Sequence, residues 1–144
     1  MKNSNNSGFD QHYNAQAAVD QASLLIVATT LSNHPTDQAE ALPTLDAIPP
    51  EVGKLAAAAL DCGYFSSHTI EQMAHRGIEP FIATGRDPHH RSWRRFFFEL
   101  PDPPAADASW RVKMAYKLQT TIGQAIYRLR KCTVEPVLGI LKEV

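Results

Sequence analysis

Two acidic residues that lie far apart in the sequence have the surroundings expected of a metal site. Glu135 is the acid of a strongly basic stretch, and Asp61 directly follows the apolar run 55–60. A carboxylate beside fixed cations is held ionised, and an ionised carboxylate can bind a hard divalent metal. The basic residues around Glu135 can bind phosphate; they are Arg128, Arg130, Lys131 and Lys142. If the fold brings Asp61 and Glu135 together, they could hold a metal for phosphoryl transfer.

Each acid also has a simpler interpretation, which the sequence leaves open. Asp61 precedes Cys62-Gly63-Tyr64, so its side chain could cap a turn. Glu135 could be a surface acid paired with Lys131 one helical turn earlier. Pro136 favours a specific role for Glu135, because it removes a backbone donor in the middle of a predicted helix.

Other candidates carry weaker signals. The neighbouring pair His89-His90 could bind metal, but loop histidines lack fixed geometry and exposure is the better interpretation. The aromatic run 96–98 follows Arg94 and Arg95, which is typical either of a nucleic-acid surface or of a loop anchored by its aromatics. Asp10 and Asp20 are predicted to be turn residues. The sequence has no Gly-rich phosphate loop, Ser/His/Asp set or zinc motif.

Length and composition predict one globular domain. The 144 residues are 44% hydrophobic, and no apolar run approaches the ~20 residues that span a bilayer. No hydrophobic stretch follows the charge at the start, so a secretory signal is not expected. Cys62 and Cys132 lack metal-ligand spacing and are predicted to be reduced, packed thiols of a cytoplasmic protein.

The net charge of −1 conceals an asymmetry between the two halves of the chain. Residues 1–83 carry three basic residues against nine acids, whereas residues 84–144 carry eleven basic residues against six acids. The second half could therefore bind a polyanion such as DNA. A solvated charged face is the alternative.

The first half alternates strands and helices. Period-two alternation over 13–19 predicts a half-buried strand, and the continuous apolar, β-branched run 24–31 predicts a buried strand. Their short spacing predicts an antiparallel hairpin. A helix capped by Asp37, with Glu40 bonding back to the cap, should then turn Ala39, Leu42 and Leu45 inward. Pro43 should kink or shorten that helix.

The rest predicts a strand over 54–60, a helix from Ser66 or Ser67 to Arg76, and a short strand over 79–84. The helix should bury Ile70, Met73 and Ala74 and stop at Gly77. Residues 1–8 are expected to be a disordered lead, and 85–110 an irregular insertion loop.

Helical periodicity resumes near Lys113. It predicts one helix over 120–142, bent at Pro136 and burying Leu129, Cys132 and Val137. The elements together predict an α/β fold.

Three blocks in this order resemble bacterial insertion-sequence transposases with a DDE catalytic core. They are Gly8-Phe9-Asp10-Gln11-His12-Tyr13-Asn14-Ala15-Gln16-Ala17-Ala18-Val19-Asp20, Asp61-Cys62-Gly63-Tyr64-Phe65-Ser66, and the stretch from Leu129 to Lys142 that contains Thr133-Val134-Glu135-Pro136. The resemblance covers nearly the whole chain except 85–110. It implies an RNase H-like mixed sheet flanked by helices and a role in DNA transposition.

The resemblance also implies roles for individual residues. Asp61 would be the second catalytic acid and Glu135 the third, together holding Mg²⁺ or Mn²⁺. Tyr127, Arg130 and Lys142 would contact DNA phosphate, with Lys131 as a rival of Arg130 for that role.

One departure from the family pattern concerns the first catalytic aspartate. It belongs to a strand before Gly8, where this sequence has seven residues and no acid. The resemblance therefore implies a C-terminal fragment of the catalytic domain, occupying 1–144, without its first strand and inactive alone. The alternative is a non-catalytic DNA-binding or regulatory remnant that pairs with full-length transposase. No membrane partner is expected in either case.

Overall fold

The computed structural model describes residues 13–85 and 99–143, with the side chains of 138 and 141–143 excepted. Within these ranges the chain forms four strands and four helices. They are β1 (Asn14–Val19), β2 (Ile26–Ser32), α1 (Ala41–Asp46), β3 (Ala57–Leu60), α2 (Ser67–His75), β4 (Glu79–Ile82), α3 (Trp110–Gln119) and α4 (Thr121–Glu143). Short 3-10 turns, Pro50–Val52 and Cys62–Tyr64, precede and follow β3.

The strands form one antiparallel and one parallel pair. β1 pairs with β2 in the predicted hairpin, with Asn14 opposite Ser32 and a bulge between Ala18 and Val19. β3 pairs in parallel with β4, with Leu60 opposite Ile82. Among the described residues no strand joins the two pairs. Small antiparallel and parallel sheets flanked by helices confirm the predicted mixed α/β class and are compatible with an RNase H-like core.

The core lies between α2, the parallel pair and α3. Its fully buried members are Ile70, Met73, Ile78, Ile82 and Met114. α2 forms as predicted because Ser66 caps it, its hydroxyl accepting from the Thr69 N–H at 2.9 Å. Gly77 ends it in a left-handed conformation, φ 71°, which glycine adopts without steric cost. Ala74, expected inside, is exposed because only the Ile70–Met73 face meets the sheet.

α1 differs from its prediction. It begins after Glu40, which makes no side-chain cap, and Ala39 is exposed. Asp37 does not cap the helix because its carboxylate binds two side chains of β1 instead. Glu40 is buried and contacts His34 Nδ1 at 2.6 Å. Pro43 lies in the first turn, where its missing N–H has no partner to lose.

The helical C-terminal region contains two helices with a sharp junction between them. α3 is capped by Ser109, and the Thr120 hydroxyl donates to the Lys117 carbonyl at 2.7 Å while accepting from the Gly123 N–H at 3.0 Å. α4 then continues through Pro136, and the bend expected there stays a prediction. α4 contacts β1, β3 and β4, so it links the two strand pairs.

Several predictions from the sequence fall partly or wholly outside the described ranges. The disordered lead 1–8, Asp10, His89, His90 and the basic-aromatic run 94–98 all lie outside them. Of the expected irregular loop 85–110, residues 99–109 contain no helix or strand.

Candidate active site

Asp61 is positioned by the end of the parallel strand pair. It follows β3 directly and is the N-cap of the 3-10 turn Cys62–Tyr64. Its Oδ1 accepts from the Cys62 N–H at 2.7 Å, so the predicted capping role is real. The side chain remains 55% exposed, which leaves Oδ2 able to serve a second purpose.

Glu135 reaches the same region from α4. Its side chain is 53% exposed and its Oε1 lies 3.7 Å from Nη2 of Arg130. Lys131, the expected partner one turn earlier, makes no ion pair with it within the described part of the chain. Among the described residues, the predicted surface ion pair between Glu135 and Lys131 therefore does not form.

Arg130 lies between the two acids. Its Nη1 is 3.8 Å from Asp61 Oδ2 and its Nη2 is 3.7 Å from Glu135 Oε1. The guanidinium is also 5.4 Å from the centre of the Tyr127 ring, a cation–π distance. The fold thus brings Asp61, Glu135 and Arg130 into one cluster from positions that are up to 74 residues apart in the sequence.

The orientation of α4 differs from the prediction at two of the three residues expected to be buried. Leu129 and Cys132 are exposed, whereas Arg130 is only 17% exposed and Thr133 is buried. The buried stripe begins at Gly123 and passes through Arg130 and Thr133 to Val137, which is half-buried as predicted. Thr133 satisfies its hydroxyl by donating to the Leu129 carbonyl at 3.0 Å. Both cysteines are free, but Cys132 is not packed.

The remaining cationic candidates lie on the outer face of α4. Arg128 and Lys131 are exposed, and Arg128 donates to Gln124 Oε1 at 3.1 Å. Lys142 belongs to α4, but its side chain is outside the described atoms. The structure therefore separates Arg130, which faces the acids, from Arg128 and Lys131, which face solvent.

A polar network that the sequence did not reveal joins this cluster to the hairpin. Asp37 Oδ1 accepts from Asn14 Nδ2 at 2.8 Å and from Gln16 Nε2 at 3.1 Å. The Tyr64 hydroxyl donates to Gln16 Oε1. An added Cβ at Gly63 would lie 3.0 Å from Asp37 Oδ2, so the turn after Asp61 packs closely against Asp37. Gln16 is buried on the inner face of β1. A polar residue within this alanine-rich strand was the sequence signal that could have indicated the network.

The pKa of Tyr64 is raised from 10.0 to about 12, mainly by burial and in smaller part by the carboxylates of Asp37, Asp61 and Glu40, while Arg130 acts in the opposite direction. The folded chain therefore keeps this proton to higher pH than the unfolded chain. Stability from this group is fully present below pH 10 and is lost as pH rises through about 12.

Tyr64→Phe should flatten that alkaline decline and lower stability at neutral pH by about 1 kcal/mol, because Gln16 loses its partner. Urea unfolding below pH 10 and between pH 10 and 12 measures both effects. An unchanged alkaline slope in the variant would show that another group causes the decline.

The two acids of the cluster supply part of the ligand set that a divalent cation needs. Asp61 and Glu135 offer hard carboxylate oxygens, the donors that Mg²⁺ and Mn²⁺ prefer. Both side chains are about half-exposed, and both face the guanidinium of Arg130. Within residues 13–85 and 99–143, however, no group of three or more His, Cys, Asp or Glu side chains is placed to hold a metal. Asp20 instead accepts from the Ser23 N–H and hydroxyl in the hairpin turn, as predicted.

Comparison with known proteins gives one decisive match. The family model described as Transposase DDE domain matches residues 2–144. The chain belongs to this transposase family. Its members move DNA segments, act on DNA and generally use divalent metal ions. Comparisons with curated proteins and with solved structures gave no significant match.

The family assignment confirms the resemblance drawn from the three sequence blocks. The cluster of Asp61, Arg130 and Glu135 lies within the residues that the transposase domain covers. None of the helices described is both long enough and apolar enough to cross a lipid bilayer.

Proposed function

We propose that this chain supplies the second and third acids of a DDE transposase catalytic domain, Asp61 and Glu135. The observation that carries the proposal is their approach to one guanidinium, at 3.8 and 3.7 Å, from the end of β3 and from α4. Asp61 and Glu135 would hold Mg²⁺ or Mn²⁺. The chemistry that a metal held there would supply is activation of an attacking water or 3′-hydroxyl and stabilisation of the leaving oxygen of a DNA phosphodiester.

The side chains around the acids then bind and orient the DNA strand. Arg130 offers a planar fork of donors that matches phosphate, and Tyr127 lies against it. Lys131 is exposed one residue further along, and Lys142 follows later on the same helix. These four residues are the proposed phosphate contacts of a cytoplasmic DNA-processing domain.

The chain alone is expected not to cleave DNA. This expectation is supported by the two acids, Asp61 and Glu135, that approach Arg130 among the described residues, whereas the resemblance to DDE transposases implies three. The test is nicking of a duplex that carries the element's terminal repeats, with Mg²⁺ or Mn²⁺. Robust nicking that Asp61→Ala abolishes would contradict this expectation.

A second candidate is a DNA-binding or regulatory fragment that acts with full-length transposase. The exposed Arg128 and Lys131 on the outer face of α4 favour it, because they can reach a phosphate backbone without involving the acids.

Charge reversal tests DNA binding by α4, which both candidates require, and the acid variants separate the two candidates. Arg128→Glu with Lys131→Glu should weaken duplex binding about tenfold or more and lower the salt dependence by about two phosphate contacts. Fluorescence anisotropy at several salt concentrations measures both. If binding is purely regulatory, Asp61→Ala and Glu135→Ala should leave it unchanged with or without Mg²⁺. A metal-dependent loss in the acid variants would favour the catalytic role.

A further inference from the structure

Arg130 is the cation that the two proposed metal ligands hold in this structure. Its two terminal nitrogens each face one carboxylate, Nη1 toward Asp61 at 3.8 Å and Nη2 toward Glu135 at 3.7 Å. Both distances exceed the range of about 2.7–3.2 Å for N–H···O hydrogen bonds, so these are charge contacts. The guanidinium therefore stands where a cation shared by both acids would stand.

The guanidinium is poorly satisfied in this position. Its Nε is buried and has no hydrogen-bond partner among the described residues. A buried donor without a partner is unfavourable, and the two long contacts to half-exposed acids compensate little. Arg130 should therefore be displaced easily when a divalent metal ion binds the acids and a phosphate is available to pair with the guanidinium.

We infer that Arg130 and a divalent metal ion compete for Asp61 and Glu135, and that metal binding moves the guanidinium onto a DNA phosphate. This inference rests on the proposed metal-binding role of the two acids. A divalent ion outcompetes a guanidinium for hard carboxylates and repels it at close range. A phosphate offers Arg130 the bidentate partner that the acids do not. Metal and DNA should then strengthen each other's binding.

The test compares Mn²⁺ binding to the full chain and to Arg130→Gln by calorimetry. Removing the competitor should tighten Mn²⁺ binding about fivefold, as expected when two exposed ion-pair contacts no longer oppose it. The matched control is Arg76→Gln, which removes an arginine paired with Asp46 at 2.6 Å, outside the cluster. The control should change Mn²⁺ affinity less than about twofold.

A second measurement uses the wild-type chain alone, so it does not depend on whether a variant folds. In the wild-type chain, the Arg130 side-chain NMR signal should shift on titration with Mg²⁺, whereas the Arg76 signal should not. Equal or weaker Mn²⁺ binding by Arg130→Gln, or an unmoved Arg130 signal under saturating Mg²⁺, overturns the competition while leaving the metal site intact. No Mn²⁺ binding by either protein overturns the metal-binding role of the acids itself.

Discussion

Replacing Gly123 with alanine is expected to destabilise the chain by about 3 kcal/mol, the upper range for forcing extra volume into a packed site. A Cβ built there would lie 1.9 Å from the Lys117 carbonyl oxygen and 2.8 Å from its carbon. Both are backbone atoms, so relief requires α3 and α4 to separate. The position of α4 over the strands, and with it Glu135, depends on this junction.

Gly139→Ala is the matched control, because Gly139 lies in the same helix and an added Cβ would meet nothing within 4 Å. Alanine there should stabilise the chain by roughly 1 kcal/mol through its better helix propensity. Urea unfolding followed by circular dichroism compares the two variants. Equal stability of Gly123→Ala and wild type would mean that α3 and α4 do not meet as closely as the structure has them.

The double variant Asp61→Asn with Glu135→Gln is expected to weaken Mn²⁺ binding by at least about tenfold. Both proposed ligands lose their charge while keeping their size, and hard divalent ions depend on anionic oxygen donors. Asparagine can still accept from the Cys62 N–H, so the turn after β3 should persist. Calorimetry with Mn²⁺ measures the loss.

Asp46→Asn provides the control for removing a carboxylate elsewhere. Asp46 pairs with Arg76 through both oxygens, at 2.6 and 3.2 Å, and takes no part in the cluster. The Mn²⁺ affinity of the Asp46→Asn variant should match that of the wild-type chain. Undiminished binding in the double variant would place any metal site away from Asp61 and Glu135.

Local sequence patterns predicted much of the fold. Alternation and the β-branched run identified the hairpin. They did not identify its buried faces, because Gln16 is buried whereas Tyr13 and Leu31 are exposed. Ser66 and Gly77 marked the ends of α2, because a hydroxyl and a left-handed glycine satisfy helix termini locally. Such signals act over a few residues and need no tertiary partner.

The same patterns failed where a polar residue had a choice of partners. Asp37 has the spacing of a helix cap, yet it binds Asn14 and Gln16, which lie more than twenty residues earlier. In α4, Leu129 and Cys132 are the more apolar side chains, yet Arg130 faces the protein. The rotation of α4 is set by its packing on β1, β3 and β4, and the hydrophobicity of the helix alone cannot anticipate that.

Residue types and their order identify the groups that could do chemistry: two distant acids, a basic helix and three blocks that resemble a transposase. That β3 and α4 bring Asp61 and Glu135 to one guanidinium is known from the folded chain alone. The reason is that helix rotation and strand placement depend on contacts between elements far apart in the chain. Those contacts include the hydrogen bond from Tyr64 to Gln16 and the hydrogen bond from Gln16 to Asp37.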